Sequence, residues 1–268
     1  MSSTLIMVAA GYSQIKSSAT AATDPTLPAP GSEYQISGAN IDMLGIDGGF
    51  RLAKEPLWDP TREASGGSIH HNLDTPALTS AMGICLDTIR AGGESRTLLI
   101  VPCAKDSIQT AQLNLPTGGF TNDWTTVSNI MCKRIKQSMR YPNPVLGGMF
   151  VSTALGDAAA EASSPFVQAA LNNWCNNVNT FVASLGLTWA KTHHFWFGRL
   201  QTPGPAAYNG GNMSAINSAF DALAAARSDT LLVQEPSSAI GGVVQQHITY
   251  AARQTWGAAF GASWLAAS

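Results

Sequence analysis

Charged side chains are scarce in this sequence: they make up 12% of its 268 residues, about half the roughly 25% usual in soluble proteins. Lys and Arg total 15 against 17 Asp and Glu, a net charge of −2. Only Lys133, Arg134 and Lys136 stand close together, so there is no basic field to hold a phosphate backbone and no nucleic-acid partner is expected. The surface has to be covered by Ser, Thr, Asn, Gln, Gly and Ala instead. So neutral a surface does little to keep molecules apart, and it fits secretion, a homo-oligomer or packing into a larger assembly.

Long apolar runs are missing too. No segment approaches the ~20 residues of a membrane span. The apolar start, Leu5 to Ala10, follows no basic residue and is short for a signal-peptide core, so it reads as a strand. Cys85, Cys103, Cys132 and Cys175 stand singly within apolar or helical stretches, with no C-x-x-C pair, and read as buried free thiols rather than disulfide or zinc partners. Neither G-x-G-x-x-G nor a P-loop is present, so no nucleotide cofactor is implied, and none of another kind is expected.

What is present is a 45% apolar chain long enough to bury a full core, with no internal repeat and no sharp linker; one domain over 1–268 is the expectation. Five short β-rich runs are separated by long stretches with helical patterns: Thr4 to Ala10, Arg96 to Ala104, Val145 to Ala154, Thr192 to Leu200 and Asp229 to Gln234. Near-continuous apolar runs are what strands covered on both faces require, so the alternation predicts a parallel sheet. Between the runs, Ser164-Pro165 supplies a cap and a first-turn proline, and Phe166, Ala170, Trp174, Val178, Phe181 and Leu185 recur at helical spacing until Gly186. Val127, Ile130, Met131 and Ile135 mark a helix before the third strand, and Ile216, Phe220 and Leu223 one before the fifth. Thr255, Ala259 and Phe260 mark a last one. From Ser17 to Gly67 the chain has no sustained period, which is long for a structureless loop.

In an open parallel sheet, ligands bind beyond the carboxyl ends of the strands. After the first strand comes Gly11-Tyr12-Ser13-Gln14, after the second Lys105-Asp106-Ser107, after the third Thr153 through Asp157, and beyond the fifth the segment with His247. A hydroxyl, loop amides, a second hydroxyl and an imidazole at one crevice are the inventory of acyl transfer: a nucleophile, a base and donors for an oxyanion.

Ala10-Gly11-Tyr12-Ser13 after the first strand, with a histidine near the carboxyl end, resembles the SGNH (GDSL-like) hydrolases, and within them the acetylxylan esterase and sialate O-acetylesterase group. Glu55-Pro56-Leu57-Trp58 is similar to that group's early E-P-L segment, and Leu99 to Ala104 to the strand before its oxyanion loop. His247-Ile248-Thr249 with Gly257 ten residues on is similar to its closing H-[FIL]-[ST] helix. These landmarks span nearly the whole chain. The resemblance implies a three-layer, flavodoxin-like α/β fold with a five-stranded parallel sheet flanked by helices. It implies a carbohydrate O-acetylesterase with Ser13 as nucleophile and His247 as general base, acting on an acetylated glycan or surface polysaccharide. Tyr12, Gln14 and Asp157 are the substrate-binding candidates beside them.

The sequence also departs from the group. Its G-G-T oxyanion loop reads Lys105-Asp106-Ser107, without the glycine whose amide usually faces the oxyanion. Its W-x-Q-G-E-x-D block reads Val151 through Asp157, with Thr153 where an amide side chain would donate. The position three before the histidine, often an aspartate, is Val244, so an orienting carboxylate has to come from the end of the fifth strand, where Glu235 is the candidate. Ser107 and Thr153 are then the oxyanion residues. Losing one oxyanion donor costs roughly 3 to 4 kcal/mol of transition-state stabilisation, and losing the orienting acid a factor of about ten thousand. The rival expectation is therefore a catalytically silent SGNH-like module for glycan binding or assembly, for example on a bacteriophage particle; on either reading an extracellular or virion-associated setting is favoured.

Other features read more plainly. Ser13 also suits a helix N-cap, and His247 a helix start. The doublets His70-His71 and His193-His194 lack the context that specifies zinc, and neighbours on a strand point to opposite faces, so no metal is expected. Phe195-Trp196-Phe197 reads as core, whereas Trp58, Trp124 and Tyr12 fall near loop ends where sugars could stack.

Overall fold

The computed structural model describes residues 3–11, 41–44, 50–52, 81–104, 127–153, 163–201, 210–236 and 250–268. Their elements run β1 (Thr4–Gly11), β2 (Ile41–Leu44), β3 (Phe50–Leu52), α1 (Ala81–Ala91), β4 (Thr97–Ala104), α2 (Val127–Ser138) and β5 (Pro144–Ser152). They continue as α3 (Ser164–Ser184), β6 (Phe195–Arg199), α4 (Gly210–Ala226), β7 (Thr230–Gln234) and α5 (Tyr250–Ala266). The sheet has the order β3-β2-β4-β1-β5-β6-β7. The five strands expected from the apolar runs are its centre, all parallel: β1 lies between β4 and β5, and β6 and β7 follow. Two short strands from the aperiodic segment extend it, β2 parallel to β4 and β3 antiparallel at the edge.

The two-residue alternation of each strand sends its side chains into two separate cores. Ile6, Val8 and Ala10 of β1 join Leu99, Val101, Met149, Val151, Phe195 and Phe197 beneath α2, α3 and α4. Leu5, Met7 and Ala9 join Leu98, Ile100, Phe150, Trp196 and Val233 beneath α1 and α5. Both faces are covered, which is why the strands could be apolar almost throughout. Phe195, Trp196 and Phe197 are all fully buried, as core, with Trp174 of α3 packed 5.6 Å from Phe195 and 6.1 Å from Phe197 between ring centres.

The helical patterns hold with two corrections of face. α3 is capped by Ser163, one residue before the expected cap and without a side-chain capping bond, and Gly186 ends it in the left-handed region at φ 68°. Phe166, expected on its apolar stripe, is 51% exposed, because Val167 and Leu171 take the inward positions of the first turns. In α5 Thr255 and Ala259 face outward, and Ala252, Trp256, Phe260 and Trp264 form the buried stripe. The bulkier indoles set that helix's rotation.

β5 carries a bulge opposite β1: Ile6 pairs with Leu146 and Met7 with Gly148, leaving Gly147 over. A side chain at Gly147 would run into Met7 and Leu5, and one at Gly148 into Trp196, so both glycines are required by close packing. The carbonyl of Gly147 accepts a 2.8 Å bond from Trp264 Nε1, which ties the bulge to α5. At its far end α5 is fastened to the chain before β6: Thr192 donates through its N–H and Oγ1 to the Ser268 carbonyl at 2.8 and 2.7 Å, and Lys191 Nζ donates to the Ala267 carbonyl at 2.6 Å. Among the described residues, no helix is long and apolar enough to cross a membrane.

Candidate active site

All five central strands are parallel, so their carboxyl ends form one rim. Gly11 lies level with Ala104 of β4 and Ser152 of β5, and Arg199 of β6 is level with Gln234 of β7. Two of the expected site residues are described, and both sit on this rim. Thr153 directly follows β5 and is 1% exposed; its Oγ1 is buried with no hydrogen-bond partner among the described residues. Glu235 directly follows β7 and is 3% exposed. With β6 alone between their strands, the two positions lie about 10 Å apart. Ser13, His247, Ser107, Tyr12, Gln14 and Asp157 lie outside the described residues, as do His70-His71, Trp58 and Trp124.

The setting of Glu235 is asymmetric. The Gln201 N–H donates to Oε2 at 3.1 Å, whereas Oε1 is buried with no partner among the described residues. Burial pushes this carboxyl up from 4.5 to about 7, against the smaller downward pull of the Gln201 amide. Near neutral pH it therefore exchanges between carboxylate and acid, and a cation or N–H donor brought to Oε1 would draw it to the carboxylate.

A polar clamp that the periodicity reading missed surrounds it. Asn217, on the buried face of α4, accepts from the Leu200 N–H at 3.0 Å and donates to the Leu200 carbonyl at 2.9 Å. Gln234 Nε2 donates to the carbonyls of Leu200 and Glu235 at 3.0 and 3.1 Å, and its Oε1 accepts from Arg199, which also grips Asp221 through two bonds of 3.0 Å. One signal was available: Asn217 interrupts the stripe Met213, Ile216, Phe220 and Leu223, and an amide on a buried face needs a partner of its own.

The second histidine doublet has a structural explanation at the opposite end of the sheet. His194 stacks on Trp189 with ring centres 4.2 Å apart, and its Nδ1 lies 2.9 Å from Asn179 Oδ1. Asn179 donates to Asp229, which Arg227 also grips. Burial holds the imidazole below its usual pKa despite Asp229. The four cysteines are buried and none is in a disulfide.

A parallel core of order 2-1-3-4-5, counted within the five central strands, with helices on both faces, is the expected three-layer, flavodoxin-like α/β fold. No protein-family model matches the chain, and no curated protein does. Among solved structures it is similar to NanS, with TM-score 0.71 and 11% identity over 98% of this chain and 97% of that one. It is similar to a protein from Arabidopsis thaliana, with TM-score 0.65 and 14% identity over 99% and 98%. A carbohydrate acetylesterase from Sinorhizobium meliloti matches with TM-score 0.52 and 12% identity over 97% of each chain.

Proposed function

We propose that this chain is a carbohydrate O-acetylesterase, a serine hydrolase of one domain that removes acetyl groups from a glycan without a cofactor. The observation that carries the reading is Glu235: a nearly fully buried carboxyl on the binding rim of an esterase-type fold, with one oxygen anchored and the other unpartnered among the described residues. Half-satisfied buried carboxyls are costly, and they persist where a charge partner is meant to meet them. The carbohydrate acetylesterases of the same fold support the substrate class.

In this reading Ser13 Oγ attacks the acetyl carbonyl while His247 takes its proton. The tetrahedral oxyanion is held by the amides of Ser13 and of the 105–107 loop, including Ser107, and by the Thr153 hydroxyl. His247 returns the proton to the departing sugar oxygen, then activates water to release acetate. Glu235 orients the imidazole and stabilises its charged form through Oε1, replacing the aspartate that Val244 does not supply. Tyr12, Gln14 and Asp157 line the sugar side.

Hydrolysis of p-nitrophenyl acetate and of an O-acetylated sugar by the wild type and by Ser13→Ala tests this. The expected outcome is a fall in kcat/KM of at least about a thousandfold for the variant. Equal rates for the two proteins end the esterase reading, and glycan binding without turnover would make the chain a recognition module instead.

A further inference from the structure

The clamp beside Glu235 assigns a role to a residue outside the reacting set, on the reading that Glu235 is the orienting acid. Leu200 and Gln201 follow the last residue of β6, where β7 still holds the chain: the Glu235 N–H donates to the Arg199 carbonyl at 2.8 Å and Gln234 Nε2 to the Leu200 carbonyl at 3.0 Å. From the other side, on α4, Asn217 takes both the N–H and the carbonyl of Leu200, at 3.0 and 2.9 Å, and is the side chain among the described residues that holds the Leu200 N–H. The Leu200 carbonyl shares one planar peptide group with the Gln201 N–H, which reaches Glu235 at 3.1 Å from Oε2. Asn217 and Gln201 are themselves buried, 2% and 6% exposed, so water does not compete for these bonds.

We propose that Asn217 is a positioning residue: by holding Leu200 it aims the Gln201 N–H at Oε2 of Glu235, and so leaves Oε1 as the free acceptor that the acid's role requires. Among the described residues, the charged groups nearest this corner are Arg199 on β6 and Asp221 on α4, which are paired with each other. Among the described residues, the influences on the Glu235 carboxyl are its burial and the Gln201 amide. Loosening Leu200 therefore weakens the interaction that favours the carboxylate and leaves the burial in place.

The test follows the unfolding free energy of the full chain from about pH 4 to about pH 9 for the wild type, N217A, E235Q and the double variant. Wild-type stability falls as the pH rises towards 7, and E235Q abolishes that fall. N217A moves the upper end of the fall upward by about one pH unit, and N217A/E235Q is as flat as E235Q. The acid limb of kcat/KM for p-nitrophenyl acetate moves the same way in N217A. A loss of stability equal at every pH, with that upper end unmoved, overturns the proposal, because a purely structural strand-end tie would give that result. If N217A does not fold, Q201P deletes the donating N–H with Asn217 in place and carries the same comparison. A wild type without esterase activity would remove the hydrolase reading while leaving the titration shift intact, so the two failures are separable.

Discussion

Burial turns Glu235 into a stability sensor as well as a candidate acid. Its folded carboxyl titrates at about 7 against 4.5 when unfolded, so the native state holds the proton over the interval in which the unfolded chain has lost it. The stabilisation is complete below about pH 4.5, declines as the pH rises towards 7 and is gone above it, a difference on the order of 3 kcal/mol. Glu235→Gln, isosteric and uncharged, is expected to match the wild type in acid and to exceed it at pH 8 in urea unfolding, while ester hydrolysis falls. A variant no more stable than wild type at pH 8 would mean that the carboxyl is ionised at little cost. Thr153 separates stability from activity in another way. Its hydroxyl has no partner among the described residues, so Thr153→Val is expected to leave the melting temperature unchanged or raised and to lower kcat by about tenfold or more. A drop in melting temperature would reveal a structural bond at that oxygen.

Among the elements, the bulge of β5 and the indole that seals it form one unit. Trp264→Phe keeps most of the packing but strands the buried Gly147 carbonyl, for an expected loss of about 1 to 3 kcal/mol in chemical denaturation. Gly147→Ala forces Met7 and Leu5 aside, with a similar expected loss. Neither feature was readable from periodicity: a bulge is a mismatch between two strands, and Gly147 meets its indole 117 residues away. The central strands were readable because double coverage makes them apolar throughout. Helix faces were less so, since Phe166 and Val167 are equally apolar and only tertiary packing decides which turns inward. α1 passed unread although Met82, Cys85, Leu86 and Ile89 share a buried face, because its short stripe begins beside a segment without pattern.

For the whole molecule, the two cores enclose every thiol. Cys85, Cys132 and Cys175 are pushed far above the ordinary thiol range by burial, and Cys103 is buried with them, so all four are expected to resist a thiol reagent in the native state and to react only as fast as the protein opens. Rapid labelling of the native protein would contradict that packing. A place on the rim was legible where a residue directly follows a strand in sequence, as with Thr153 after β5 and Glu235 after β7. The clamp joins residues 17 and 34 positions apart and leaves no periodic trace. The fastening of Ser268 to Thr192 has a practical corollary. It lies at the amino end of β6, at the opposite end of the strands from the rim that bears Glu235, a span of about 17 Å for a strand of five residues. A surface tether or fluorophore attached at Ser268 would thus leave the rim that bears Glu235 facing away from the attachment.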